Sequence, residues 1–508
     1  MQFDLAGRFV LSADAKAAEA AIRAFFEEAN ATILKRKGAE PGTDEARVHD
    51  VRVEGSTIHV KVESKGRLRA HDALLRLRKA MGEKLGKAHR LGVRDVIIDA
   101  YEVTFELEKP VKHPVMVPFA KAVRVEDRTA TLELANVDAE FLENNYIDRM
   151  INLVREKVNL QHYEGKGEYH RTMWSSPSKE PRWDRNPTEA MVERDWLKQG
   201  PTKGKWVFRP QIAAIIRAME RIAVEEVLKP AGFQEIMIPH HVPFDVWLKS
   251  GHMHGVPNEI YYVSEPRTRD VAEWQEFIDL VKITRKVPTD KLLANLSPPN
   301  AGICYAQCGN IYWSFQQRTI ADASLPVQVF DRAAVSNRYE SGGRHGMERV
   351  DEFHRIEPVY IGTREQLLDV REKLVARYKH VFNEILDLEW RMAWVTPFFL
   401  AQEGHDKEVV ETDKLEVGTI DFEAWMPYRG SREESEWLEF QNLSIVGKKY
   451  TDAFNIKAQR ADLWSGCSGI GLERWAVAFL AQKGIDPADW PAGFRKFLPE
   501  LPKETQFL

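Results

Sequence analysis

Three short stretches hold the residues of this 508-residue chain whose types and spacing could do chemistry. In the first, Gly466-Cys467-Ser468-Gly469-Ile470-Gly471-Leu472-Glu473-Arg474-Trp475, a thiol stands seven residues before an arginine. Gly466, Gly469 and Gly471 let the backbone run close to a ligand. Leu472 to Leu480 reads as a helix, which puts Arg474 in its first turn. A guanidinium there suits a polyphosphate, and a thiolate suits a metal. In the second stretch, Arg338-Tyr339-Glu340, a loop over 341–348 and Arg349-Val350-Asp351-Glu352-Phe353 bring two arginines, a glutamate and an aromatic onto one hairpin. Arginine forks grip phosphate, and an aromatic ring can stack on adenine. The third is Cys304 to Cys308, four apart and so on one face if the segment is a strand. Either thiol could join Cys467 and a carboxylate or histidine. With only three cysteines a four-thiolate site is excluded, which leaves three ligands and an open position, the arrangement of catalytic zinc. His252 and His254 form a weaker candidate pair in a turn-like loop.

The remaining composition narrows the class. The chain is 44% hydrophobic and 29% charged, the balance of a soluble globular protein too long for one ordinary core. No apolar run approaches the roughly 20 residues that a membrane span needs, and the first residues lack the plan of a signal peptide. Few cysteines fit a reducing, cytoplasmic setting. The net charge of −5 gives no hint of a polyanionic partner, but residues 65–94 carry ten Lys/Arg against two Asp/Glu. A stripe of that kind, including Arg67, Arg69, Arg76, Arg78 and Lys79, is an electrostatic footprint for RNA phosphates.

The elements that must position these residues fall into an α+β pattern. Val51–Val53 and Thr57–Val62 read as a hairpin. Leu74, Leu77, Met81 and Leu85 mark the buried face of a helix, and Val96–Leu107 and Thr129–Leu134 read as strands. Ile147, Met150, Ile151, Val154 and Val158 mark another helix. Residues 1–163 therefore form one domain. An aperiodic stretch rich in Gly, Pro, Trp and charge, 164–205, reads as a linker. Residues 206–508 open with a helix over Gln211–Leu228. Strands follow at Gln234–Pro239, Pro326–Phe330, Glu352–Ile361, Thr419–Trp425 and Trp437–Val446. Hairpin-like connections between them predict a mainly antiparallel sheet flanked by helices.

Taken together the motifs resemble those of class II aminoacyl-tRNA synthetases. Gly232-Phe233-Gln234-Glu235-Ile236-Met237-Ile238-Pro239 resembles motif 1, Arg338 to Phe353 motif 2, and Gly469 to Arg474 motif 3. RVDEFHRIE at 349–357, Ala306-Gln307-Cys308-Gly309, EWLEFQN at 436–442 and GCSGIGLERW at 466–475 are similar to the methanogenic-type (type-2), zinc-dependent seryl-tRNA synthetases. The N-terminal domain, with Arg69 to Leu77, resembles that family's tRNA-binding domain. The resemblance implies activation of L-serine with ATP and transfer to tRNA(Ser), and extends to selenocysteine tRNA. It implies zinc held by Cys308, Glu357 and Cys467, which leaves Cys304 out. ATP, with Mg²⁺, would lie against Arg338, Tyr339, Glu340, Arg349, Val350, Phe353, Glu439 and Arg474, with Arg338 and Arg474 the catalytic pair. Serine would contact Ala306, Glu340, Glu357 and Asn442. A homodimer through the region around Pro239 is implied as well. Two rival readings are an amino acid:carrier-protein ligase, whose members are expected to lack the N-terminal domain, and a non-catalytic RNA-binding relative, whose nucleotide and metal residues would be degraded.

Overall fold

The computed structural model describes residues 1–35, 45–65, 68–135, 137–138, 141–142, 144, 146–161, 170–339, 344–395, 416–433 and 435–505. Arg67 and Glu340 lie outside the described residues. The chain divides into two compact units, Met1–Gly167 and Glu168–Leu508. Among the described residues no helix is long and apolar enough to cross a membrane.

In the first unit every strand pairing is antiparallel. The sheet runs Ala46–Glu54, Thr57–Lys65, Gln2–Leu11, Val93–Glu106, Thr129–Leu134, Ala120–Glu126. Strict alternation in Gln2–Leu11 sends Phe3, Leu5, Phe9 and Leu11 to one face, as a half-buried strand must. Helices Glu19–Ala31, Ala70–His89 and Tyr146–Leu160 add to this core through Ile22, Phe25, Phe26, Leu74, Leu77, Met81, Leu85, Ile147, Met150, Ile151, Val154 and Val158. Helix Ala70–His89 ends at Arg90 in the left-handed region (φ 55°), where its amide closes the last turn on Leu85.

The second unit is built on a nine-stranded sheet. Its order is Gln234–Glu235, Val327–Asp331, Glu352–Gly362, Trp464–Gly471, Leu438–Ile445, Gly418–Ala424, Trp390–Val395, His170–Ser175, with Val335–Asn337 pairing Glu352–Gly362. Only the Gln234–Glu235 pairing is parallel. Helix Leu472–Lys483 leaves directly from the glycine-rich strand and is buried along most of its length. It packs with helices Pro210–Ile222 and Arg364–His380 in one large core. The helix expected over Gln211–Leu228 passes into a wider π-type turn over Ala223–Leu228.

Two expectations are corrected. The stretch 164–205 is not a linker over its described part. His170–Ser175 forms the edge strand of the large sheet, and Trp174 packs on Trp390 with ring centroids 4.6 Å apart. Ala190, Met191, Trp196 and Leu197 are in the core. Motif 1 carries only a two-residue strand, Gln234–Glu235, and beyond it the chain is irregular through Pro239.

The central strand tolerates no side chain at Gly466. A β-carbon there would overlap the ring of buried Tyr360 and come within 2.7 Å of the Ser444 carbonyl oxygen. Gly466→Ala is expected to cost about 3 kcal/mol, the upper range for overpacking a tight core, measured as a shift in the urea midpoint.

Candidate active site

Glu357 lies two residues from Val359, whose cross-strand neighbour is Cys467. The carboxylate and thiol therefore share a face, one diagonal step apart. Cys308 arrives from elsewhere, as the first residue of helix Cys308–Ser314. The three ligand atoms lie within 4.8 Å of one another. Donors around one zinc stand about 3.3–3.8 Å apart, from Zn–S of about 2.3 Å and Zn–O of about 2.0 Å. The cluster is thus close enough for its three donors to converge on one small ion after a shift of about 1 Å.

Its electrostatics also fit a cation. Glu357 is 0% exposed, and neither carboxylate oxygen has a hydrogen-bond partner. Arg355 Nε is 2.5 Å from Glu357 Oε2, yet it lacks hydrogen-bond geometry and has no other partner. Burial pushes the Glu357 carboxyl up, opposed by Arg355. The hydrogen bond with Cys308, then burial and the Glu357 charge, push the Cys467 thiol well above its ordinary value. Burial and crowding thus penalise the charged forms of Glu357 and Cys467, and a divalent ion would reverse that penalty.

The structure separates the two cysteines that spacing had placed on one strand face. Strand Ala301–Ile303 ends before Cys304, and a turn carries the chain into the helix at Cys308. Cys304 is fully buried, and burial raises its thiol pKa strongly. His252 is not part of the cluster. Its ring bonds Ser250 Oγ at 2.8 Å and packs edge-on against Trp247 and Tyr305. Burial pulls its pKa down to about 3, so it is neutral.

Beside the cluster is a polar cavity lined by Arg338, Phe353, Arg355, Glu439, Asn442, Gly469, Gly471 and Arg474. The Arg338 guanidinium sits over Phe353 at 5.4 Å and over Tyr305 at 5.7 Å. Arg474 donates to the backbone oxygens of Glu439 (2.9 Å) and Glu348 (3.1 Å), and pairs with Glu439 Oε2 at 3.0 Å. Both arginines thus stand at the cavity wall. Asn442 faces Gly469 across the ladder, and its Oδ1 accepts the Gly469 amide at 2.8 Å. Arg349 instead pairs with Glu436 at 2.9 Å, Val350 is buried, and Tyr339 is 48% exposed under Arg344. Ala306 is buried, two residues before Cys308.

Sequence reasoning missed Arg355. Its guanidinium fills the space over Gly469, where a β-carbon would lie 2.5 Å from Nη2. It lines the cavity with both arginines and reaches the Glu357 carboxylate. Gly469 was assigned to a close-approach role, and the group that approaches it is this side chain.

The basic helix of the first unit divides. Arg76, Arg78 and Lys79 are exposed. Arg69 has other work, pairing with Asp148 at 2.7 Å and covering Phe3 at 5.3 Å. It ties helix Ala70–His89 to helix Tyr146–Leu160.

A family model described as a tRNA-binding domain matches residues 1–156. The type-2 serine–tRNA ligase of Methanothrix thermoacetophila is 46% identical over 100% of both chains. That of Methanococcoides burtonii is 45% identical, again over 100% of both. The solved structure of M. kandleri SerRS in complex with A. aeolicus tRNASec superposes with a TM-score of 0.87 at 30% identity, covering 100% of this chain and 99% of the other. Identity at that level along the full length, on a fold that brings motifs 2 and 3 to one cavity, places this chain in the type-2 serine–tRNA ligases, a family of class II aminoacyl-tRNA synthetases.

Proposed function

We propose that the chain activates L-serine with ATP and transfers it to the 3′ end of tRNA(Ser), with selenocysteine tRNA as a further acceptor. The observation that carries the residue assignment is the Cys308–Glu357–Cys467 cluster, whose buried carboxylate accepts no hydrogen bond, set beside the arginine-lined cavity. A serine carboxylate oxygen attacks the α-phosphorus of ATP and expels pyrophosphate. A hydroxyl of the terminal adenosine of the tRNA then attacks the seryl carbonyl and releases AMP. Neither step needs a protein nucleophile. The protein positions the reactants and neutralises charge. Arg338 takes the α-phosphate, Phe353 the adenine, Arg474 the γ-phosphate, and Glu439 Mg–ATP. Glu340, Arg349 and Val350 complete the nucleotide contacts, while Ala306 and Asn442 flank the serine. Arg355, between the two halves, takes the serine carboxylate as it becomes the mixed anhydride. Cys308, Glu357 and Cys467 would hold Zn²⁺, which when bound supplies a Lewis-acid seat for the neutral amino group of the substrate. Exposed Met237, two residues before Pro239, supports a homodimer contact in that region. A cytoplasmic location agrees with the family.

Pyrophosphate exchange with each of the twenty amino acids, with and without a zinc chelator, tests the reading. Exchange with serine alone, lost on chelation, is the expected result. Exchange with alanine or glycine would move the chain to the carrier-protein ligases.

A further inference from the structure

A second cleft of about 550 Å³ opens beyond the nucleotide cavity and is only partly lined by the arginines and carboxylate already described. Its far half is formed by His170, Arg391, Glu423 and Trp437, for which serine activation has no use. These residues come from adjoining strands: Arg391 pairs with Glu423, and Glu423 with Glu439. Arg391 Nε donates to Glu423 Oε2 at 2.6 Å, and His170 bonds Glu423 Oε1 at 2.7 Å. The guanidinium so fixed lies over the Trp437 ring, 4.4 Å from its centroid. Trp437 is itself held by its indole N–H, which donates to the Arg432 carbonyl at 3.0 Å. Each partner of the stack is therefore fixed by a second contact, and the pair forms part of the cleft wall.

An arginine stacked on an indole and half-neutralised by a buried carboxylate is a poor polyphosphate clamp. Glu423 is 8% exposed and takes the Arg391 Nε hydrogen bond, so the guanidinium has less free charge and one fewer N–H to offer a phosphate. A π-platform of this composition suits a nucleobase, which stacks on aromatic faces and on guanidinium planes alike. Position in the sheet narrows the ligand further. From Trp464–Gly471, which carries Cys467, to Trp390–Val395, which carries Arg391, is three strand steps. At about 4.8 Å per step this is about 14 Å, beyond the reach of the amino acid but on a path into the same cleft. We propose that the Arg391–Trp437 platform stacks the base immediately upstream of the acylated adenosine, and so guides the single-stranded 3′ end of the tRNA to the activated serine. This rests on the tRNA-charging reading above.

Two measurements test it together. Trp437→Ala should keep serine-dependent pyrophosphate exchange within about twofold, which also reports that the fold is intact. It should lower kcat/KM for tRNA charging about tenfold to a hundredfold, the range for one lost base–aromatic stack. Trp437→Phe should recover most of the loss. With the wild-type enzyme, a tRNA(Ser) transcript abasic at its penultimate position should lose a similar factor. Trp437→Ala should add little to that loss. Exchange and charging falling in parallel would assign the platform to the nucleotide or pyrophosphate and overturn the proposal. Undiminished charging of the abasic transcript would overturn it as well. Absence of serine-dependent exchange in the wild-type protein would instead mark failure of the underlying reading.

Discussion

Cys467→Ser should leave the protein folded, without bound zinc, and with serine-dependent pyrophosphate exchange lowered about a thousandfold or more, or at least about 4 kcal/mol of transition-state stabilisation. The cause is donor chemistry. A serine hydroxyl does not ionise near neutral pH, so the trio falls to Cys308 and Glu357, too few to retain a borderline-soft ion against water. The fold should survive because the backbone of Cys467 is held on both sides, opposite Val359 and Ser444 in neighbouring strands. Glu357→Gln makes the matching control. It should also lose zinc, and it should lower the urea midpoint of the metal-free protein, because it strips the buried Arg355 guanidinium of the carboxylate 2.5 Å away. Metal content by atomic emission, exchange rate and urea midpoint read the three effects separately. A Cys467→Ser protein with full exchange and no metal would overturn the zinc assignment.

The legible part of this molecule is whatever one strand or helix encodes by itself. Alternation in Thr57–Val62 and the 3.6-residue period of Leu74, Leu77, Met81 and Leu85 come from a single buried face, and the structure buries those faces. Gly466 to Arg474 is legible for the same reason, since a strand, a turn and a helix start lie in one continuous run. What escaped depends on partners distant in sequence. His170–Ser175 alternates poorly because it is an edge strand, mostly exposed, whose place is set by Trp174 meeting Trp390. Arg69 reads as one more cation in a basic stripe until Asp148, 79 residues on, is seen to receive it. Arg355 stands two residues from a metal-ligand candidate and reads as a neighbour's ion pair. Its role emerges only when the ladder sets it over Gly469. The choice that spacing leaves open between Cys304 and Cys308 closes only in three dimensions, since same-face spacing holds only while a strand continues.

Removing the first unit should uncouple the two half-reactions. A protein of residues 168–508 keeps the entire nine-stranded sheet, the Cys308–Glu357–Cys467 cluster and the arginine-lined cavity. Each unit has a hydrophobic cluster of its own among the described residues. Serine-dependent exchange should therefore stay within about twofold of the full chain, while kcat/KM for tRNA charging falls at least a hundredfold, roughly the loss expected when several phosphate contacts disappear. The helix of exposed Arg76, Arg78 and Lys79 supplies a finer test in the intact protein. If these three cations contact phosphates, replacing them with alanine should flatten the plot of log affinity for tRNA against log salt by about 0.7–0.9 per lost contact. Arg69→Ala should behave differently, lowering the thermal midpoint of the first unit through loss of the Asp148 pair and the Phe3 contact. An unchanged salt slope with undiminished charging would make the stripe ordinary solvated surface. A flattened slope with exchange intact would locate recognition of the tRNA body in this unit, leaving the sheet of the second unit to recognise only the 3′ end.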